Sequence, residues 1–356
     1  MDTRKFALEG SLHLFSSEAS MISPAELYMV KHRSDIREAL ALCNLYVITR
    51  RPRIFVSPNP TSMHIEANTL SGSFLMQRSQ AWESISFRYP LPEGIVDVAV
   101  DEIGSSILLI DSDGHRIFTP SHVLVATAES PLGDAKDLEV LYVGIGQGRK
   151  NPRIAIDRLA NHATLQRILS ETLAFTPASE ILLLMFRFEH HRKYMSTGGD
   201  LNLVPTSGAS EELQHWQNMS NATFDRRQRV ELAEAALIRH FDPIYNDTFT
   251  RTDFARNKRI KLLRGLERQG LTGLIAELST ANLGSRLWSP SCPAPRAEDM
   301  FPAGIDLARA SEKSEEAKQL IKSITHTHFA QVPLTTSEER NTFLHGMRWR
   351  ESASPE

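Results

Sequence analysis

Glu234 stands where a carboxylate is costly. Val230, Glu234, Leu237 and Phe241 step by four, three and four residues, one face of an α-helix. A charge on that apolar stripe needs a cation, a proton or hydrogen-bond donors to offset its removal from water. Upstream, Tyr142-Val143-Gly144 and Arg158-Leu159 supply candidate partners, and Asn246 follows Pro243-Ile244-Tyr245 just beyond the helix. These types suit phosphoryl transfer to water. One carboxylate with waters and substrate oxygens can hold Mg²⁺ or Mn²⁺, which polarises a phosphoryl oxygen and acidifies water. Arg158 could fork onto phosphate oxygens, Tyr142 could orient water or protonate a departing oxygen, and Asn246 could fix the geometry. Tyr142, Arg158, Glu234 and Asn246 are expected to meet in one cleft.

Each residue also has a plainer reading. Glu234 could pair with Arg226, Arg227 or His240, whereas Glu231, four residues after Arg227, reads as a surface ion pair rather than a ligand. His162, four residues after Arg158 on the same expected helix, is a base, a phosphate donor or a structural histidine. Gly144-Ile145-Gly146-Gln147-Gly148 lacks the spacing and lysine of a phosphate loop. His190-His191 reads as an exposed strand end. The basic run Arg251 to Arg268, with Arg256, Lys258, Arg259 and Lys261, is a solvated helix face or a grip on nucleic-acid phosphates.

The elements that must position these residues are mixed. A helix is expected over Pro24 to Ala41 after Ser23. Leu45 to Ile48, Arg53 to Val56, Ser84 to Phe87 and Ile107 to Ile110 read as short strands separated by turns such as Asp111-Ser112-Asp113-Gly114. Val123 to Val125 and Val140 to Val143 read as a strand pair. A helix follows over 154–173, then a strand at Ile181 to Phe188, a mobile excursion at 196–222, and the Glu234 helix ending before Pro243. Strands at Leu274 to Leu278 and Phe329 to Val332 flank a helix near Ser311 to Lys322. This gives an α+β chain: a β-rich N-terminal domain (1–120), a central small mixed sheet flanked by helices (121–250), and a basic helix with an α+β C-terminal extension (251–356).

Composition bounds the rest. The chain has 356 residues, 41% hydrophobic and 23% charged, an ordinary globular balance. A formal net charge of −3 gives no global pull toward nucleic acid, so such binding requires a local patch. Two cysteines, Cys43 and Cys292, cannot make a four-ligand zinc site by themselves and argue against a disulfide framework. The first fifteen residues lack a signal-peptide core, and apolar runs such as Ile181 to Phe186 are too short to span a bilayer. A cytoplasmic protein with no membrane partner is expected.

Together these pieces resemble the GIY-YIG nuclease fold over roughly 123–246. In that family a small mixed sheet carries two tyrosine-bearing strand motifs, followed by a helical arginine, a metal-binding glutamate and an asparagine. Tyr142-Val143-Gly144 resembles the second motif, and Arg158 in Asp157-Arg158-Leu159 resembles the helical arginine. Glu234, with Leu237-Ile238 and Pro243-Ile244-Tyr245-Asn246, resembles the glutamate-to-asparagine segment in residue type and spacing. The strand expected to carry the first motif, Val123-Leu124-Val125, ends in no tyrosine; the 126–141 loop is longer than usual, and an insertion at Gly148 to Ile156 delays the arginine. The family's first tyrosine helps activate the attacking water, a task for which His122 or Thr127 could substitute here. The resemblance implies a metal-dependent endonuclease acting on DNA, with Mg²⁺ or Mn²⁺ at Glu234 and a role in restriction or genome defence. The missing tyrosine sets a catalytically silent nucleic-acid-binding or protein-interaction module beside it, and an ion-paired Glu234 would leave a structural or interaction protein.

Overall fold

The computed structural model describes residues 4–30, 33–78, 81–146, 155–197, 204–246, 253–300, 314–336 and 340, with side chains placed for all but 60, 253–260, 299 and 300. The chain is a mixed α+β protein whose site-bearing part is a five-stranded sheet. Its middle strand, Leu45–Pro52, pairs antiparallel with Leu138–Ile145 on one side and Ser179–Phe186 on the other. Leu287–Trp288 and Ser20–Ile22 form the two edges. A four-stranded sheet stands beside it: Phe188–Ser196, Glu9–Ser16, Leu271–Ser279 and Thr327–Pro333, in that order.

Alternation along the middle strand separates two cores. Leu45 and Val47 point to one side, Tyr46 and Ile48 to the other. On the first side the helix Arg226–Phe241 is wedged between the sheets, with Val230, Ala233, Leu237 and Phe241 packed against Leu14, Val143 and Leu274. Asp225 starts this helix by accepting the Gln228 backbone N–H at 2.8 Å, while the Gln228 side chain returns to the Asp225 N–H at 2.9 Å. Asp242 ends it in a left-handed conformation (φ 45°) ahead of Pro243. On the second side, helices Ala155–Leu159 and Ala163–Phe175 cover Tyr46, Ile48, Leu141 and Tyr142.

Several expectations change. The segment Val123-Leu124-Val125 is no strand: it lies in the helix Ser121–Thr127, where Leu124 and Val125 are buried beside Phe74, Phe87 and Ile107. Burial on one helical face overrides the β preference of Val123 and Val125. His122 and Thr127 go with that helix. The proposed boundary at residue 120 does not follow the sheets, because the middle strand of the central sheet comes from residues 45–52. What lies between, residues 54–136, forms two small antiparallel sheets and a core of their own. The Pro24 to Ala41 segment is two helices, Pro24–Met29 capped by Ser23 and Ser34–Leu40. Within the expected 196–222 excursion, Ala209–Asn221 is a helix, held by buried His215 and Met219. The strand expected over Ile181 to Phe188 ends at Phe186, and Phe188 opens a second strand that passes to the other sheet; the elements near 274–278, 315–325 and 327–333 occur where expected. Among the described residues, no helix is long and apolar enough to cross a membrane.

The C-terminal part is bound to the central sheet by Arg286, which places Nε at 3.0 Å and a terminal nitrogen at 2.6 Å from the two Asp137 oxygens. The Arg286 backbone N–H also donates to Asp137 at 3.1 Å. Hydrogen bonds to a charged group contribute about 1.5–3 kcal/mol. Asp137→Ala should lower stability by about that amount, read as a lower urea midpoint at unchanged slope; an unchanged midpoint would show the pair contributes nothing.

Candidate functional site

The ladder between Leu45–Pro52 and Leu138–Ile145 sets two tyrosines side by side. Tyr46 lies opposite Gly144 and Ile48 opposite Tyr142, so both tyrosines face the second core. A register shift between Val140 and Tyr142 inserts Leu141 as an extra residue, and such a bulge re-aims the side chains after it. The Tyr46 and Tyr142 rings stack with centroids 6.1 Å apart and 23° between their planes. Gly144 makes this possible. A Cβ there would sit 2.6 Å from the Tyr46 hydroxyl and 2.7 Å from a Tyr142 ring carbon, closer than packed atoms approach. Glycine is needed here for space.

Arg158 and His162 close over the tyrosines from the helical side. The first helix, Ala155–Leu159, ends just after Arg158, and His162 begins the second, Ala163–Phe175. The expected single helix is therefore broken between the two residues, which turns His162 back toward the rings. Its ring meets Tyr142 edge-on at 5.1 Å and Tyr46 at 5.8 Å. His162 Nδ1 accepts the Leu165 backbone N–H at 3.2 Å, so in the neutral ring Nε2 carries the proton. Burial, then the nearby Arg158 charge, lowers its pKa from the ordinary histidine value. Near neutral pH His162 is thus a donor at Nε2 and not a free base. Arg158, Asn161, His162 and Thr164 line an open cavity of about 590 Å³.

The Tyr46 hydroxyl is the electrostatic centre of the group. It is fully buried and has no partner at good hydrogen-bond geometry among the described residues, although the Arg158 guanidinium lies beside it. Burial raises its pKa well above that of an ordinary phenol, Tyr142 and Glu234 add to the rise, and Arg158 opposes it. Burial works against the Arg158 charge too, but Tyr46, Tyr142 and Glu234 outweigh it and hold Arg158 above its usual value. Glu234, 8% exposed on the helix Arg226–Phe241, therefore acts on both Arg158 and Tyr46. The plainer partners expected for Glu234 each make a contact elsewhere. Arg226 lies 3.4 Å from Glu189, Arg227 bonds Glu231 at 2.9 Å as its spacing suggested, and His240 bonds His328 at 3.0 Å.

Asn246 is tied to the strand and not aimed at the cavity. Its Oδ1 accepts the Val143 N–H and its Nδ2 donates to the Val143 carbonyl, both at 2.9 Å. Both ends of the buried amide are used to fix the residue next to Tyr142. No family model matches the chain, and no curated protein or solved structure matches it either.

Of the residues singled out, Tyr142, Arg158, His162 and Glu234 come together and Asn246 braces them. Tyr46 was missed. It is the second residue of the strand begun by Leu45-Tyr46-Val47-Ile48, and only its pairing with Tyr142-Val143-Gly144 singles it out, across an interval of residues 53–137. His190 and His191 lie within the strand Phe188–Ser196, where His190 stacks on Phe15 and His191 meets Phe224. Gln147 and Gly148 fall outside the described residues. So do the side chains of Arg256, Lys258 and Arg259, although the backbone of Asp253–Arg268 is helical and Lys261 is exposed on it.

Gly144→Ala should cost about 1–3 kcal/mol from overpacking and shift the Tyr46 environment, measured by urea unfolding and tyrosine fluorescence. Wild-type stability would sink the close-approach argument. Because the folded His162 pKa lies below the unfolded value, the unfolded chain takes up more protons there as pH falls through about 6.5. The His162 contribution is full above that pH and lost below it. His162→Asn, which keeps a capping acceptor, should lose less stability than wild type between about pH 7.5 and about pH 5.5; equal losses in urea midpoints would refute the burial argument.

Proposed function

We propose that the protein is a metal-dependent endonuclease of the GIY-YIG kind, hydrolysing phosphodiester bonds in DNA. The observation that carries this reading is the pairing of Tyr46 with Tyr142 across Gly144, with Arg158 and the charge of Glu234 acting on the Tyr46 hydroxyl. The silent-module alternative was motivated by a missing first tyrosine. Tyr46 offers one, from a strand far earlier in the chain than the resemblance suggested.

Glu234 would hold Mg²⁺ or Mn²⁺. One buried carboxylate suits a hard cation that keeps most of its waters, and the bound ion would supply Lewis acidity toward a phosphoryl oxygen and a water of lowered pKa. Arg158 presents a planar fork of donors to the phosphate. Tyr46, with its pKa raised by burial, keeps its proton and orients the attacking water by hydrogen bonding. Tyr142 and the Nε2–H of neutral His162 are donors for the departing oxygen. Asn246 holds the Tyr142 strand at Val143 and touches no reacting atom. The basic helix after Asn246, with Lys261 exposed, would contact backbone phosphates beside the cleft.

The test incubates the full chain with plasmid DNA, and separately with RNA, in Mg²⁺ or Mn²⁺ and then in EDTA with Mg²⁺ added back. Cleavage should need the metal. Glu234→Gln should abolish it, and Tyr46→Phe or Arg158→Lys should slow it by about 10²–10³-fold, as for loss of one preorganised donor. Cleavage by Glu234→Gln at the wild-type rate would overturn the assignment. Salt-sensitive binding without cleavage by wild type would favour the silent module.

A further inference from the structure

A second group of metal-ligating side chains lies apart from the cleft, at the far end of the Glu234 helix. His240 stands in the last turn of that helix, six residues after Glu234 and so about 9 Å further along its axis. His328 comes from the strand Thr327–Pro333, and Cys292 from the turn after Leu287–Trp288. Their ligand atoms converge: His240 Nε2 to His328 Nδ1 is 3.0 Å, Cys292 Sγ to His240 Nε2 is 3.3 Å, and Cys292 Sγ to His328 Nδ1 is 3.8 Å. All three potential donor atoms lie within 4.8 Å of one another, and Cys292 and His328 are buried.

We infer that His240, Cys292 and His328 form a zinc site that fastens the C-terminal strands to the Glu234 helix. Zn–N bonds of about 2.05 Å and Zn–S bonds of about 2.3 Å at tetrahedral angles separate ligands by about 3.3 Å for N–N and about 3.6 Å for N–S. Each observed edge lies within about 0.4 Å of those values. His328 Nε2 donates to the Leu287 carbonyl at 2.9 Å, which leaves the Nδ1 lone pair facing the triangle; metal-binding histidines are oriented in this way by their other nitrogen. Cys292 is presented by a closed turn, with Ser289 N–H to Cys292 carbonyl at 2.8 Å and Cys292 N–H to Ser289 carbonyl at 3.0 Å. Ser289 Oγ donates in turn to the carbonyl of Phe241, at the end of the Glu234 helix, at 2.5 Å. Each ligand thus stands on a braced element before any ion arrives. Mixed imidazole and thiolate donors select zinc over the hard ions suited to Glu234. The fourth corner of the tetrahedron goes to a further donor, water included. Binding releases the thiol proton and forms one Zn–S and two Zn–N bonds without any change of oxidation state.

The full chain, purified without chelator, should carry one zinc per chain by mass spectrometry of its metals. Replacement by Co²⁺ should give a thiolate-to-metal charge-transfer band and intense tetrahedral visible bands. Cys292→Ser should lose the charge-transfer band and most of the zinc, whereas Cys43→Ser and Glu234→Gln should keep both. Should Cys292→Ser fail to fold, wild type decides: stripped protein should gain thermal stability with one equivalent of Zn²⁺, and the gain should persist with Mg²⁺ already in excess. Absence of that gain, absence of the charge-transfer band in wild type, or zinc retained by folded Cys292→Ser would each overturn the inference and leave a hydrogen-bonded His–His–Cys cluster. Glu234→Gln separates this site from the cleavage reading, since it should stop cutting without releasing zinc.

Discussion

The antiparallel ladder between Leu45–Pro52 and Leu138–Ile145 is the constraint on which the candidate site depends. It makes Tyr46 a neighbour of Tyr142 and Gly144, and its bulge at Leu141 decides which way Tyr142 faces. Closing a long loop costs little more entropy than closing a shorter one, because the cost grows only with the logarithm of length. The 54–136 segment also buries its own core around Phe74, Phe87 and Ile107, so it stabilises itself and returns the chain to the sheet. A large β-rich unit can therefore interrupt the ladder without disturbing the rings that meet across it.

Around that ladder, polar groups are assigned to different tasks by their bonding. Asn246 spends both ends of its amide on Val143 and so serves geometry. His162 spends Nδ1 on a helix N-terminus and keeps a donor for the cavity. Tyr46 is buried beside Arg158 without a well-formed partner of its own among the described residues. The arrangement is polar, preorganised and open to solvent on the Arg158 side.

The helix Arg226–Phe241 carries side chains of both polar groups. Its middle brings Glu234 to the tyrosines and Arg158, and its last turn brings His240 to Cys292 and His328. Because the helix is packed between two sheets, a displacement at one end is carried along a stiff rod to the other. Fixing the C-terminal strands to its last turn therefore also fixes where Glu234 sits.

Local patterning was enough to mark much of this. The four-three-four spacing around Glu234, the Asp225 start and Pro243 stop of its helix, the Arg227–Glu231 pair and the strand at Tyr142 all depend on near neighbours, which short-range rules describe. The role of Gly144 and the pairing of Tyr46 with Tyr142 did not, because they arise across residues 53–137. Val123 to Val125 looked like a strand because β-branched residues favour one, until burial against the inserted core made it helical. Counting cysteines missed the His240–Cys292–His328 group for the same reason: its ligands come from a helix, a turn and a strand that only folding brings together. Residue types and spacing along the chain determined which side chains could do chemistry. Tertiary packing decided which of them meet, since contact between distant segments depends on sheet order and burial that no local window contains.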